Sequence, residues 1–121
     1  MLALLPRSRL AANDAPPGCL QENEMKQAES RLSGKILRAL RAQGVFCFKV
    51  HGGAMMMAGL PDIIACVDGY FVGLETKMPD TRDHVSPRQE YVHEKIREAD
   101  GKVFVITSVD EALDVVARIR A

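Results

Sequence analysis

With 121 residues the chain is long enough to bury a core and short enough to be one domain. A content of 47% hydrophobic and 26% charged residues is that of a soluble globular fold, and no apolar run has the length of a membrane span. The 16 basic residues balance 16 acidic ones, so bulk charge does not advertise a nucleic-acid partner, and attraction to phosphate has to come from a local patch, a metal or a second subunit.

Residues 1–22 contain Pro6, Pro16, Pro17 and Gly18 and carry no sustained period, so they read as a mobile arm before a domain over 23–121. Leu2 to Leu5 is too short for a signal-peptide core and has no charge before it. Cys19, Cys47 and Cys66 lack the paired short spacing of a zinc site and read as free thiols of a reducing compartment, a cytoplasm.

Asn23 is the candidate cap of a first helix that runs to about Gln43 and stops at Gly44. Met25, Leu32, Ile36 and Leu40 form its apolar stripe. At about 100° per residue Glu29 falls within the same angular spread, so this carboxylate points inward and needs a partner: a basic side chain, a path to water, or a metal. Val45 to Val50 follows as a strand, with Lys49 and His51 at its end able to meet phosphate. The Gly52 to Leu60 loop carries Met55, Met56 and Met57, adaptable thioethers suited to packing.

Ile63 to Val67 and Tyr70 to Leu74 are apolar runs of strand length, separated by Asp68-Gly69, the dipeptide of a tight two-residue hairpin. Counting back from that turn pairs Val67 with Tyr70, Ile63 with Leu74, and Asp62 with Glu75. Lys77 lies two residues beyond Glu75 on the same face. Carboxylates about 5 Å apart repel by about 3 kcal/mol at an effective dielectric of about 20, a cost that stability alone does not justify. One carboxyl keeps its proton, Lys77 offsets part of the repulsion, or a divalent cation sits between the pair. The cation is favoured here, because hard ions such as Mg²⁺ are held by one or two carboxylates together with substrate phosphate.

A polar connection with Arg82, Asp83 and His84 leads to Ser86-Pro87-Arg88-Gln89, a capping box with proline in the first turn. The helix it opens is predicted to reach about Asp100, to end at Gly101 and to bury Val92, Ile96 and Ala99. Gln89 also points inward, so a site role stands beside its capping role. Lys102 to Thr107 is a strand apolar enough to be covered on both faces. Ser108 and Glu111 form a second capping box, opening a terminal helix with Leu113, Val116 and Ile119 on its apolar side.

The order α-β-β-β-α-β, with Glu29 in the first helix, Gly59-Leu-Pro-Asp62, Glu75-Thr-Lys77 and Ser86-Pro-Arg-Gln89, resembles the PD-(D/E)XK nuclease superfamily. Within it the chain is most similar to the small VRR-NUC (virus-type replication-repair nuclease) domains. The resemblance implies a single-domain α/β fold with a restriction-endonuclease-like core and a C-terminal helix. It implies a Mg²⁺- or Mn²⁺-dependent endonuclease with Asp62, Glu75 and the Thr76 carbonyl on the metal, and Glu29 completing the acidic shell. Lys77 would orient or deprotonate the attacking water, and Gln89 would fix the lysine or the water. The implied substrate is branched DNA, as for a Holliday-junction resolvase of phage or prophage replication and repair. A homodimer would juxtapose Lys49, His51, Arg82, His84 and Arg88 from both subunits. A nicking nuclease of the same fold and a non-catalytic binding subunit are the alternatives.

Overall fold

The computed structural model describes residues 22–121. The expected arm lies outside the described residues except for Glu22, which is already helical. Helix α1 spans Glu22–Ala42, followed by strands β1 (Phe46–Lys49), β2 (Ile63–Val67) and β3 (Tyr70–Thr76). A single 3-10 turn, Pro79–Thr81, leads to α2 (Pro87–Glu98), β4 (Lys102–Ile106) and α3 (Val109–Arg120). Asn23 is not the cap of α1, because the helix already includes Glu22 and Asn23 lies inside it. Its other end is as expected: Gly44 takes φ +76°, and the Val45 N–H returns to the Leu40 carbonyl at 3.1 Å.

The sheet has the order β1-β2-β3-β4. Strands β1 to β3 form an antiparallel meander, and α2 carries the chain over to β4, which lies parallel to β3. The hairpin register is the counted one, from Val67 opposite Tyr70 to Ile63 opposite Leu74. Asp68 and Gly69 take φ 51° and 86°, both positive as a type I′ turn requires, which matches the twist of the flanking strands.

Side chains alternate along β3. Val72 and Leu74 face α1 and α3, where they join Ile36, Leu40, Ile63, Val67, Ile106, Ala112 and Val116 in the main core. Phe71, Gly73 and Glu75 face α2. In α3 the deepest positions are Ala112, Val115 and Val116, while Leu113 is only half-buried, so the packed stripe is rotated from the expected one. Ala99 is exposed because α2 has ended by then, with Asp100 at φ +68° reversing the chain. On β4, Val103 and Ile106 are buried whereas Phe104 and Val105 are half-buried, since β4 is an edge strand rather than a central one.

Both capping motifs form, one of them in altered shape. At α2 the Gln89 N–H donates to Ser86 Oγ, and the Ser86 N–H donates to Gln89 Oε1. At α3 the Glu111 N–H donates to Ser108 Oγ at 3.1 Å, but the Glu111 carboxylate turns to Thr107, accepting from its N–H and its hydroxyl at 2.6 and 2.7 Å. That carboxylate also pairs with Arg82. Among the described residues Cys47 is a buried and Cys66 an exposed free thiol; Cys19 lies outside them.

Candidate active site

The first residues of β2 and the last of β3 meet at one end of the sheet, and the candidate site is built there. Val50 N–H donates to the Asp62 carbonyl at 2.7 Å, carrying the β1–β2 pairing one step past the strand and fixing the Asp62 backbone. Pro61, just before it, is fully buried. Its ring lies over Gly73 so closely that a Cβ on Gly73 would sit 2.6 Å from Pro61 Cγ. Upstream, Gly59 takes φ +88°, and a Cβ there would come within 2.7 Å of the Arg88 carbonyl. The Gly-Leu-Pro-Asp motif is thus a strap: one glycine lets the loop pass under α2, the proline seats on a second glycine, and Asp62 is delivered to the end of β3.

The Asp62 side chain accepts the Thr76 N–H at Oδ2, 2.9 Å away. Glu75, opposite Asp62 by continuation of the register, is only 1% exposed. Its Oε1 accepts from Gln89 Nε2 at 2.8 Å, and His93 Nε2 lies 3.5 Å from the same oxygen. Gln89 and His93 are one helical turn apart on α2, so a single helix face holds this carboxyl. Burial first, then a hydrogen bond with Asp62 and its charge, push Glu75 up to about 9, against the opposing effect of Lys77. Glu75 therefore holds its proton at neutral pH unless a cation takes the proton's place.

Glu29, half-buried on α1, reaches the same end of the sheet. Burial raises its carboxyl; Lys77 opposes this, Asp62 adds to it, and Lys49 and the Met78 N–H lower it. The structure thus places Glu29, Lys49, Asp62, Glu75, Lys77 and Gln89 in one electrostatic neighbourhood. The remaining candidate contacts to DNA are dispersed. His51 and His84 are exposed, Arg82 is occupied by Glu111, and Arg88 donates from Nε to the Ala58 carbonyl at 3.3 Å.

Sequence reading missed His93. It is 3% exposed, its Nε2 has no hydrogen-bond partner of good geometry, and burial together with Arg97 lowers its pKa. The available signal was its spacing of four from Gln89, which puts both side chains on one helix face.

Among the described residues no group of three or more His, Cys, Asp or Glu side chains is close enough to enclose a metal ion. The donor set is instead two facing carboxyls beside the Thr76 backbone. That fits a hard, oxygen-seeking cation of the Mg²⁺ type, which keeps several waters and completes its shell with substrate phosphate. The proton that Glu75 otherwise retains marks the charge deficit such an ion would satisfy.

No protein-family model and no curated protein matches the chain. A solved structure described as a VRR_NUC domain superposes on it with a TM-score of 0.60, covering 74% of this chain and 95% of that one at 23% identity. At that identity the likeness establishes architecture, and the four-stranded mixed sheet with its helices is consistent with it. This chain has the VRR-NUC fold.

Proposed function

We propose that the chain is a Mg²⁺- or Mn²⁺-dependent DNA endonuclease acting on branched DNA, in the manner of a Holliday-junction resolvase of phage or prophage replication and repair. The observation that carries this reading is the Asp62–Glu75 pair: two carboxyls held face to face by the Thr76 N–H and by Gln89, at a strand end next to Lys77. Asp62, Glu75 and the Thr76 carbonyl would hold the cation, with Glu29 acting on it through water. When bound, the ion supplies neutralisation of a nonbridging phosphate oxygen and acidifies a water. The chain's own residues supply the rest. Gln89 keeps Glu75 from turning away, with His93 packed beside the same oxygen, and the Thr76 N–H does the same for Asp62. Lys77 places an ammonium group on the face of Glu75, where it orients the attacking water and complements the charge that grows on phosphate during displacement.

A neutral chain gains phosphate contacts by doubling its basic residues across a two-fold axis, and a symmetric dimer also suits a two-fold junction. Phe46 and Phe48 on the β1 edge, 71% and 45% exposed, support such a pairing. The test is metal-dependent cleavage of a synthetic four-way junction beside a linear duplex of the same sequence. We expect preferential cutting of the junction, and Lys77→Ala should abolish cutting while leaving DNA binding in place. Equal rates on both substrates would sink the resolvase reading and favour a nicking nuclease. Cleavage unaffected by Lys77→Ala would remove the chemistry from this site.

A further inference from the structure

Along α2 runs a groove of 670 Å³ whose walls include Met57, Leu60, Phe71, Arg88, Tyr91 and Lys95. It is mostly apolar, yet two cations stand on its rim. The Arg88 guanidinium lies 5.3 Å and the Lys95 ammonium 5.5 Å from the centroid of the Tyr91 ring, which is 52% exposed. Lys95 is shared with Glu98 at 3.5 Å, whereas Arg88 forms no ion pair among the described residues.

Helix geometry ties this groove to the site. Arg88, Tyr91 and Lys95 recur at spacings of three and four, forming a stripe next to the Gln89–His93 stripe that holds Glu75. Leu60 stands two residues before Asp62. The groove wall is braced, since Arg88 Nε bonds the Ala58 carbonyl and Gly59 packs under the Arg88 backbone. An apolar floor with a half-exposed aromatic ring over which two cations lie is complementary to a nucleotide, flat and apolar at the base and anionic at the phosphates, because a base that takes a cation's place on the ring leaves that cation free for phosphate. A paired base keeps its faces stacked inside the duplex and cannot enter. The occupant has to be unpaired.

We propose that this groove takes one unpaired base of the DNA strand bound at the carboxyls, stacked on Tyr91, with Arg88 and Lys95 on the adjoining phosphates. The inference rests on the nuclease reading and sharpens it: the site selects DNA in which a base is free to leave the stack at a branch point, a flap or a gap.

The test measures binding of the full chain to a short single strand and to a blunt duplex in EDTA, by fluorescence anisotropy, with thermal melts to verify folding. Base–aromatic stacking predicts that Tyr91→Ala weakens single-strand binding by about 5- to 150-fold. Duplex binding should change less than about twofold, and Tyr91→Phe should keep wild-type affinity because the stacking face remains. The proposal is overturned if Tyr91→Ala binds the single strand as wild type does, if both affinities fall together, or if the wild type does not bind the single strand. It is equally overturned if the substitution changes only the oligomeric state in sedimentation, which would assign the groove to a second copy. Because no divalent metal is present, binding through Tyr91 without any cleavage under metal would uphold the groove and refute the nuclease. Cleavage by a wild type whose Tyr91→Ala variant binds normally would refute the groove alone.

Discussion

Gln89 uses both ends of one amide: Oε1 accepts the Ser86 N–H at 2.9 Å, and Nε2 donates to Glu75 Oε1 at 2.8 Å. The backbone N–H can only donate, so the cap fixes which end of the amide faces the carboxyl. Helix capping and site construction are therefore a single interaction. Gln89→Glu retains a capping-box acceptor but removes the donor and adds a further carboxylate against the acidic pair. Cleavage is expected to fall at least about 100-fold with helicity by circular dichroism preserved. Ser86→Ala removes the cap and should cost about 1 kcal/mol in urea unfolding, with a smaller loss of activity.

The proton on Glu75 makes stability depend on pH in a defined direction. Folding raises this carboxyl from its ordinary 4.5 to about 9. Between those values the folded chain holds a proton that the unfolded chain has released. Its contribution is complete below the unfolded value and is lost as pH rises toward 9. In EDTA the melting temperature should decline from pH 5 to pH 9, and Glu75→Gln should flatten the decline. Millimolar Mg²⁺ or Mn²⁺ should raise the melting temperature of the wild type most at the alkaline end, and Asp62→Asn should remove that response. A metal response unchanged in Asp62→Asn would place the ion elsewhere.

Gly73 lies under Pro61, and a methyl group there would reach to 2.6 Å of the proline ring. Both atoms belong to stiff, buried parts of the structure, so Gly73→Ala has to displace the strap that carries Asp62. We expect a loss of about 1–3 kcal/mol and a weaker thermal response to metal. Gly53→Ala, where nothing stands within 4 Å, is the control. Equal melting curves for the two variants would show that the strap yields without cost.

His93 stands beside the Glu75 oxygen that Gln89 already holds. Removing a buried partner of a metal-ligating group typically costs 10- to 100-fold in affinity or activity. His93→Phe should raise the metal concentration needed for half-maximal cleavage by about that factor, and His93→Gln should recover part of it. Equal metal requirements in wild type and His93→Phe would reduce the histidine to a packing residue.

Much of this site was legible along the chain because its parts obey local rules. The Asp68-Gly69 turn sets the strand register by counting, and the alternation of strand side chains then puts Asp62 across from Glu75. Glu29 was placed by helical period, and Gln89 by its cap. What misled was equally physical. A capping motif does not state where a long carboxylate turns when a closer pair of donors is available, and Glu111 chose Thr107 and Arg82 over the Ser108 N–H. A helical period identifies a face but not its rotation against a sheet, so Leu113 gave way to Ala112 and Val115.

The sequence by itself determined the order of strands and helices, the hairpin register and the confrontation of two acids, because turn chemistry and side-chain period act over a few residues. Only the tertiary structure decided that α2 would lay Gln89 and His93 on one Glu75 oxygen, that Pro61 would seat on Gly73, and that Arg82 would be spent on Glu111. Those relations join residues distant along the chain, and they depend on how a helix is rotated and seated against a sheet. That fit is settled by the packing of whole surfaces, which no local pattern encodes.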